Sequence, residues 1–135
     1  MSWRNAFAAW VLFILAESVQ GLIRRLFVVP AIGDLAARQI GVLVGSTIAL
    51  AVALLSIGRI GARTPAQQIG VGLLWVVLTA SFELCLGAAL GYSRERILSD
   101  YDLRRGGWMA FAMLFLLFTP FLAQRLRAAN RADSR

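Results

Sequence analysis

Four stretches of this chain are too long and too apolar to be buried elements of a water-soluble domain. Residues 39–58 and 106–124 contain no charged side chain, residues 5–23 contain only Glu17, and residues 64–93 contain only Glu83. A helix needs about 20 residues to cross the hydrocarbon core of a bilayer. Backbone amides and carbonyls in lipid must be satisfied within their own segment, so spans of this length are helices. The chain is therefore expected to form transmembrane helices over about 5–29, 38–58, 67–91 and 107–125. Short connections place successive helices side by side and antiparallel. The expected fold is all-α: an integral membrane four-transmembrane-helix bundle, up-down-up-down, forming a single domain over residues 1–135.

Composition leaves no room for a separate soluble domain, because 59% of the 135 residues are hydrophobic and only 16% are charged. All 14 basic residues are Arg, and the chain has no His, which removes the usual imidazole base and the commonest metal ligand. No metal site or cofactor is expected. Cys85 has no second cysteine to pair with and lies in an apolar run, so it reads as a small buried hydrophobe. The net charge of +7 does not point to nucleic acid. The Arg residues sit at the ends of apolar segments, as in membrane proteins, and form no basic stripe on a soluble fold. The first segment follows Arg4 as a secretory leader would, but no small-x-small cleavage site follows Ala16, so it is expected to persist as a helix.

The connections carry turn formers and charge. Residues 30–37 hold Pro30 and Gly33, and residues 59–66 hold Gly61 and Pro65. Residues 92–106 are longer and heavily charged. Within them Ile97, Leu98 and Tyr101 fall at helical spacing and suggest a short interfacial helix. The tail from Arg125 is polar and expected to fray. Each half, 1–66 and 67–135, holds a Glu-bearing helix followed by a charge-free one, a faint sign of an internal repeat. Arg residues divide seven against seven between the two sides. Placing Arg24 inside the membrane favours cytoplasmic termini by seven to six. Four of the acids, Asp34, Glu95, Asp100 and Asp102, lie on the side of the first and third connections.

Ionisable side chains in a span are costly, face the bundle and mark sites. Glu17, Gln20 and Arg24 are three and then four apart and share a helix face. Trp75, Thr79, Glu83 and Gly87, each four apart, form a second stripe. These six polar and aromatic groups, Glu17, Gln20, Arg24, Trp75, Thr79 and Glu83, are the candidates for binding a ligand or a proton. At ~1.5 Å per residue, Glu17 lies ~18 Å, Glu83 ~12 Å and Arg24 ~7.5 Å inside the polar end. Those depths predict an Arg24–Glu83 pair and leave Glu17 without a fully charged partner. A bland alternative is that the layer only locks helices together. Gly41, Gly45, Ala49 and Ala53, four apart, allow close helix approach, either to a neighbouring helix or across a homodimer seam. Above the layer, Asp34, Arg38, Arg94, Asp100, Tyr101 and Asp102 are candidates for a polar vestibule, with Asp34 placed to cap the second helix. The arginines of the third connection are also suited to lipid phosphate. Pro120 is expected to kink the fourth helix.

The stretches GDLAARQIGVLVGS at 33–46 and YSRERILSDYDLRRGGWM at 92–109, with ESVQGLIRR at 17–25 and LTASFE at 78–83, carry a resemblance. They resemble a family of small four-helix bacterial inner-membrane proteins with no known activity. This supports the four-helix reading and implies a multi-pass protein of the inner membrane. A looser likeness is to small multidrug transporters, which also have four helices, a carboxylate in the first and an aromatic in the third. Glu17 and Trp75 would hold those places, but Arg24, Glu83 and the long third connection depart from that pattern.

The expected function is that of a small polytopic membrane protein, not an enzyme, since no nucleophile–base pair or metal set appears. Its intramembrane layer fixes helix packing or binds a small ligand. Its expected partners are the lipid bilayer and either a second copy or a larger membrane complex, but no nucleic acid. The alternative is a proton-coupled small-molecule transporter using Glu17.

Overall fold

The computed structural model describes residues 1–99 and 101–133. Four long helices dominate it: α1 (Trp3–Ile32), α2 (Asp34–Ile60), α3 (Pro65–Ala89) and α5 (Met109–Asp133). A short helix α4 (Arg94–Ser99) and a 3₁₀ turn (Leu103–Arg105) fill the third connection. All four long helices are long and apolar enough to cross a membrane.

Helix ends follow local chemistry. Ser2 caps α1 by accepting from the Asn5 amide at 3.2 Å. Thr64 and Gln67 form a capping box at the start of α3, with Pro65 in the first turn. Gly61, at φ 74°, ends α2 in the left-handed conformation that glycine adopts without strain. The start of α1 is tied to the end of α2 by Ser2 N–H donating to Ile60 O at 2.7 Å and Asn5 Nδ2 donating to Arg59 O at 2.8 Å.

Three expectations about the elements are corrected. The first connection shrinks to Gly33 alone, whose φ of 90° and ψ of 163° reverse the chain in one residue. Pro30 is inside α1, because the preceding turn, Arg24–Val28, is π-helical. The ring of Pro30 would meet the carbonyl of Leu26 in a regular α-helix, and the wider turn relieves that clash. The tail does not fray at Arg125 but continues α5 to Asp133. Its Ala- and Arg-rich sequence favours helix. Arg127 Nη1 also donates to Leu54 O at 3.3 Å, and Arg125 lies over the Phe121 ring at 5.2 Å.

Helix α5 packs along both α2 and α3, and α1 packs along α2 but touches α3 far less. The dry core lies toward the second connection, around Ala6, Ile57, Ile60, Val71 and Trp75. Outward faces are apolar, with Leu55 75% and Phe27 70% exposed. Cys85 belongs to this outer surface and is exposed, contrary to the buried position expected for it. Its place on α3 faces away from the other helices, alongside Leu84.

Helices α3 and α5 approach closely enough that a methyl on Gly72 would collide with the Leu117 backbone carbonyl. Backbone cannot yield as a side chain does, so Gly72→Ala should destabilise the detergent-solubilised protein by about 1–3 kcal/mol. At Gly70 the added methyl would meet only Trp3 Cη2 at an ordinary 3.5 Å, so Gly70→Ala should leave the Tm nearly unchanged. Thermal unfolding of the two variants side by side checks this.

Candidate functional site

The polar stripe of α1 seats on the small-residue stripe of α2. Gly41, Gly45, Ala49 and Ala53 are all buried within the chain. The Glu17 carboxylate lies on Gly45, with Oε1 2.8 Å from where a Cβ would stand. Gln20 Nε2 donates to Gly41 O at 3.3 Å. Arg24 Nη1 is 2.8 Å from a Cβ position on Gly41, and its Nη2 is 3.9 Å from one on Gly21. Of the two roles expected for this stripe, the structure gives it the packing of a neighbouring helix, and what packs there is charged.

Arg24 folds back along its own helix, because helical side chains point toward the N-terminus. That brings the guanidinium into electrostatic range of Glu17, as Glu83 also is. Contrary to expectation, Glu17 is therefore not isolated from charge but stands within range of both a guanidinium and a second carboxylate. Glu17 Oε1 is buried and receives no hydrogen bond from the protein.

Beside the cluster lies a cavity of about 430 Å³, bounded by α1, α2, α3 and α5. Glu17, Gln20, Arg24, Thr79 and Glu83 all line it. Trp75 does not. Its side chain is only 1% exposed and donates Nε1–H to Ala6 O at 2.9 Å, closing the bundle beneath the cavity. An indole N–H in apolar surroundings needs an acceptor, and the α1 carbonyl supplies it. Trp10 does not line the cavity either, but it braces two residues that do. It donates Nε1–H to Thr79 Oγ1 at 3.0 Å and meets Phe82 edge-on at 6.4 Å. Trp10 lies two helical turns before Glu17, a spacing that places both on one face and was the available signal.

The mouth is built from the end of α1, the start of α2 and the third connection. Asp34 is the first residue of α2 and does not cap it; Gly33 takes that place without a side-chain bond. The Asp34 carboxylate instead holds Arg38 Nε at 3.1 Å and Arg96 Nη2 at 3.3 Å. Arg96 and Arg25 both lie over the Tyr92 ring, at 4.9 and 5.7 Å. Arg25, Tyr92 and Arg96 line the cavity but were not among the expected vestibule residues. Tyr101 and Arg38 line it as expected. Arg94 is exposed and does not. Asp102 accepts from the Arg104 amide at 3.0 Å, caps the 3₁₀ turn and does not line the cavity, and Asp100, the other half of the expected Asp-x-Asp pattern, lies outside the described residues. Gln39 Nε2 donates to Gly106 O at 2.9 Å and fastens the end of the third connection to α2. Among the described residues, no group of three or more His, Cys, Asp or Glu is placed to hold a metal ion.

Comparison with known protein families, curated proteins and solved structures finds no match.

The contact between Glu17 and Gly45 predicts a thermodynamic coupling. Gly45→Ala forces the carboxylate aside, and Glu17→Ala removes the obstacle. In a double-mutant cycle by thermal or denaturant unfolding, the double variant should be more stable than the sum of the two single losses implies, by about 0.5–3 kcal/mol. Additive losses would show that the two residues do not press on each other.

Proposed function

We propose that this chain is a multi-pass protein of the bacterial inner membrane, with both termini cytoplasmic, that binds a small ligand in the cavity beside its polar layer. Its lipid-compatible outer faces support the membrane setting. The slight excess of Arg on the side of the termini supports the orientation. The observation that carries the binding reading is the joint placement of Glu17 and the cavity. A carboxylate with one buried, undonated oxygen borders a space of about 430 Å³. Ligand pockets commonly span ~300–1,000 Å³ and combine apolar walls with a few convergent polar groups. Helix packing alone requires neither the cavity nor an oxygen left without a donor, since polar groups kept for packing are satisfied by one another.

Native mass spectrometry of the protein extracted from its own membrane in mild detergent tests this reading. The wild-type chain should carry one small molecule, and Glu17→Gln and Glu83→Gln should lower its occupancy about tenfold while keeping wild-type helix content. A wild-type chain that carries nothing, with variants that change only Tm, would assign the layer to packing.

Glu17 also sustains the transport reading, because the cavity it borders is not fully enclosed. A proton-coupled carrier would acidify or alkalise reconstituted vesicles when substrate is supplied, and Glu17→Gln would abolish that flux. Binding without such flux would leave the protein a binding protein.

A further inference from the structure

The charges that border the cavity are sorted by level. At the mouth, Arg25, Arg38 and Arg96 stand against one acid, Asp34. Deeper in, two acids, Glu17 and Glu83, stand against the guanidinium of Arg24. Glu17 and Arg25 are eight residues apart on α1, about 12 Å along its axis. The count of charges makes the inner level negative and the mouth positive, whatever hydrogen bonds the groups make. Away from bulk water such a difference acts strongly. Glu17 is also an acceptor in want of a donor, since its buried Oε1 receives no hydrogen bond from the protein. The polar side chains beside it on α1 are turned to backbone. Ser18 Oγ donates to Ile14 O at 2.7 Å, and Gln20 Nε2 donates to Gly41 O at 3.3 Å. Rotation about the terminal bond of Glu17 exchanges its two oxygens, so a donor reaching either one from the cavity meets the need. A charged donor suits this level better than a neutral one, because its hydrogen bond to a carboxylate is roughly twice as strong. Glu83 adds to that preference through its charge alone and needs no contact of its own.

Beyond the acids the walls turn apolar. One helical turn further from the mouth, Phe13 on α1 and Ala49 on α2 line the same cavity. Phe82 from α3 and Met113 and Leu116 from α5 complete that wall. A bare cation would leave this surface uncovered. A cation joined to an apolar body covers it and gains the burial. A metal ion suits the site less well, since no group of three or more His, Cys, Asp or Glu among the described residues is placed for one.

Resting on the ligand-binding reading above, we propose that the ligand is a primary or secondary monoamine with an apolar body, its ammonium donating to the Glu17 carboxylate and its body seated among Phe13, Phe82, Met113 and Leu116. The N–H is as much a requirement as the charge, because the carboxylate lacks a donor and not merely a counterion. A second cationic group is disfavoured. It would have to lie either among the apolar walls or beside the three guanidinium groups of the mouth.

The test uses the full chain in an uncharged maltoside detergent and mildly alkaline buffer, titrated by calorimetry. The probes are 2-phenylethylamine and relatives that each change one property: 2-phenylethanol, trimethyl(2-phenylethyl)ammonium, ethylamine and 3-phenylpropionate. 2-Phenylethylamine should bind saturably, one per chain. The alcohol, which lacks the charge, and the trimethylammonium, which lacks the N–H, should each bind at least about tenfold more weakly. Ethylamine should also bind at least about tenfold more weakly, for want of a buried body. Glu17→Gln should abolish the preference for the amine over the alcohol. Glu95→Gln, which removes an exposed acid that does not line the cavity, should preserve it. The comparison of probes on the wild-type chain stands even where a variant fails to fold. Equal affinity for the alcohol and the amine would overturn the cation and leave a site for neutral donors. Equal or tighter binding of the trimethylammonium would overturn the N–H donor. Equal binding of ethylamine would overturn the apolar body. Tighter binding of 3-phenylpropionate would overturn the amine and assign the site to the basic mouth. Binding of none of the probes would overturn the amine, and the co-purification experiment then judges the cavity on separate grounds.

Discussion

The seating of Glu17, Gln20 and Arg24 on Gly41 and Gly45 governs how the other helices can be arranged. An ionisable side chain near a bilayer centre costs ~2.5–3.5 kcal/mol on insertion scales. A helix apolar enough to cross a membrane, as α1 is, is therefore expected to turn such a stripe away from lipid. The stripe has to turn inward, and a long side chain turned inward needs room. Glycine supplies that room on α2: where a methyl would stand, the structure holds a carboxylate oxygen or a guanidinium nitrogen. Close approach in membrane bundles is commonly backbone against backbone, as at Gly72 and Leu117 in this chain. On α2 the glycines are occupied by charge.

That choice of partner shapes the cavity. Because α1 spends its polar face on α2, little of it remains for α3. The two are joined near the dry end by the Trp75–Ala6 and Trp10–Thr79 hydrogen bonds, both from indole donors. Beyond that level the cavity lies between them, bounded by Glu17 on one wall and Glu83 on the other. The π-helical turn at Arg24–Val28 lies at the same end. It admits Pro30 into the helix and lets α1 continue to Ile32, so that Arg25 remains on a helix while reaching the Tyr92 ring. The third connection closes the end of the bundle through Arg96, Tyr92 and the Gln39–Gly106 hydrogen bond, and also through Ile97, whose side chain sits over Gly87.

Much of this was legible in the sequence and some was not, for identifiable reasons. The four long helices were readable because their length and lack of charge are those a bilayer would demand, a pattern that runs through every residue of a segment. The faces were readable because helical spacing places Glu17 with Gln20 and Arg24, and Thr79 with Glu83, whatever the tertiary packing. Pairing across helices was not. Depth alone set Arg24 level with Glu83, but the backward tilt of helical side chains and the room over Gly41 place its guanidinium against α2. Trp75 shares the stripe of Glu83 and still falls in the dry core, since one stripe runs from the packed end of the bundle to the open end. Tyr92 carried no signal at all, because its role depends on two arginines from separate elements meeting on its ring.

Locking helices and binding a ligand need not be alternatives for the polar layer, because its members divide between the two tasks. Gln20 and Arg24 face the α2 backbone, and their nitrogens fill the space over Gly41. Glu17 is different: it fills the space over Gly45 yet keeps an oxygen that no protein donor reaches. A group retained only for packing gains nothing by burying an unsatisfied acceptor, since that costs about 1–3 kcal/mol or more for a charged group. The loss is offset when something else supplies the donor, and a cavity beside the carboxylate is the route by which it can arrive. The same seating that fixes α1 against α2 therefore holds Glu17 in place at the cavity wall. In this bundle, helix packing is what preorganises the site.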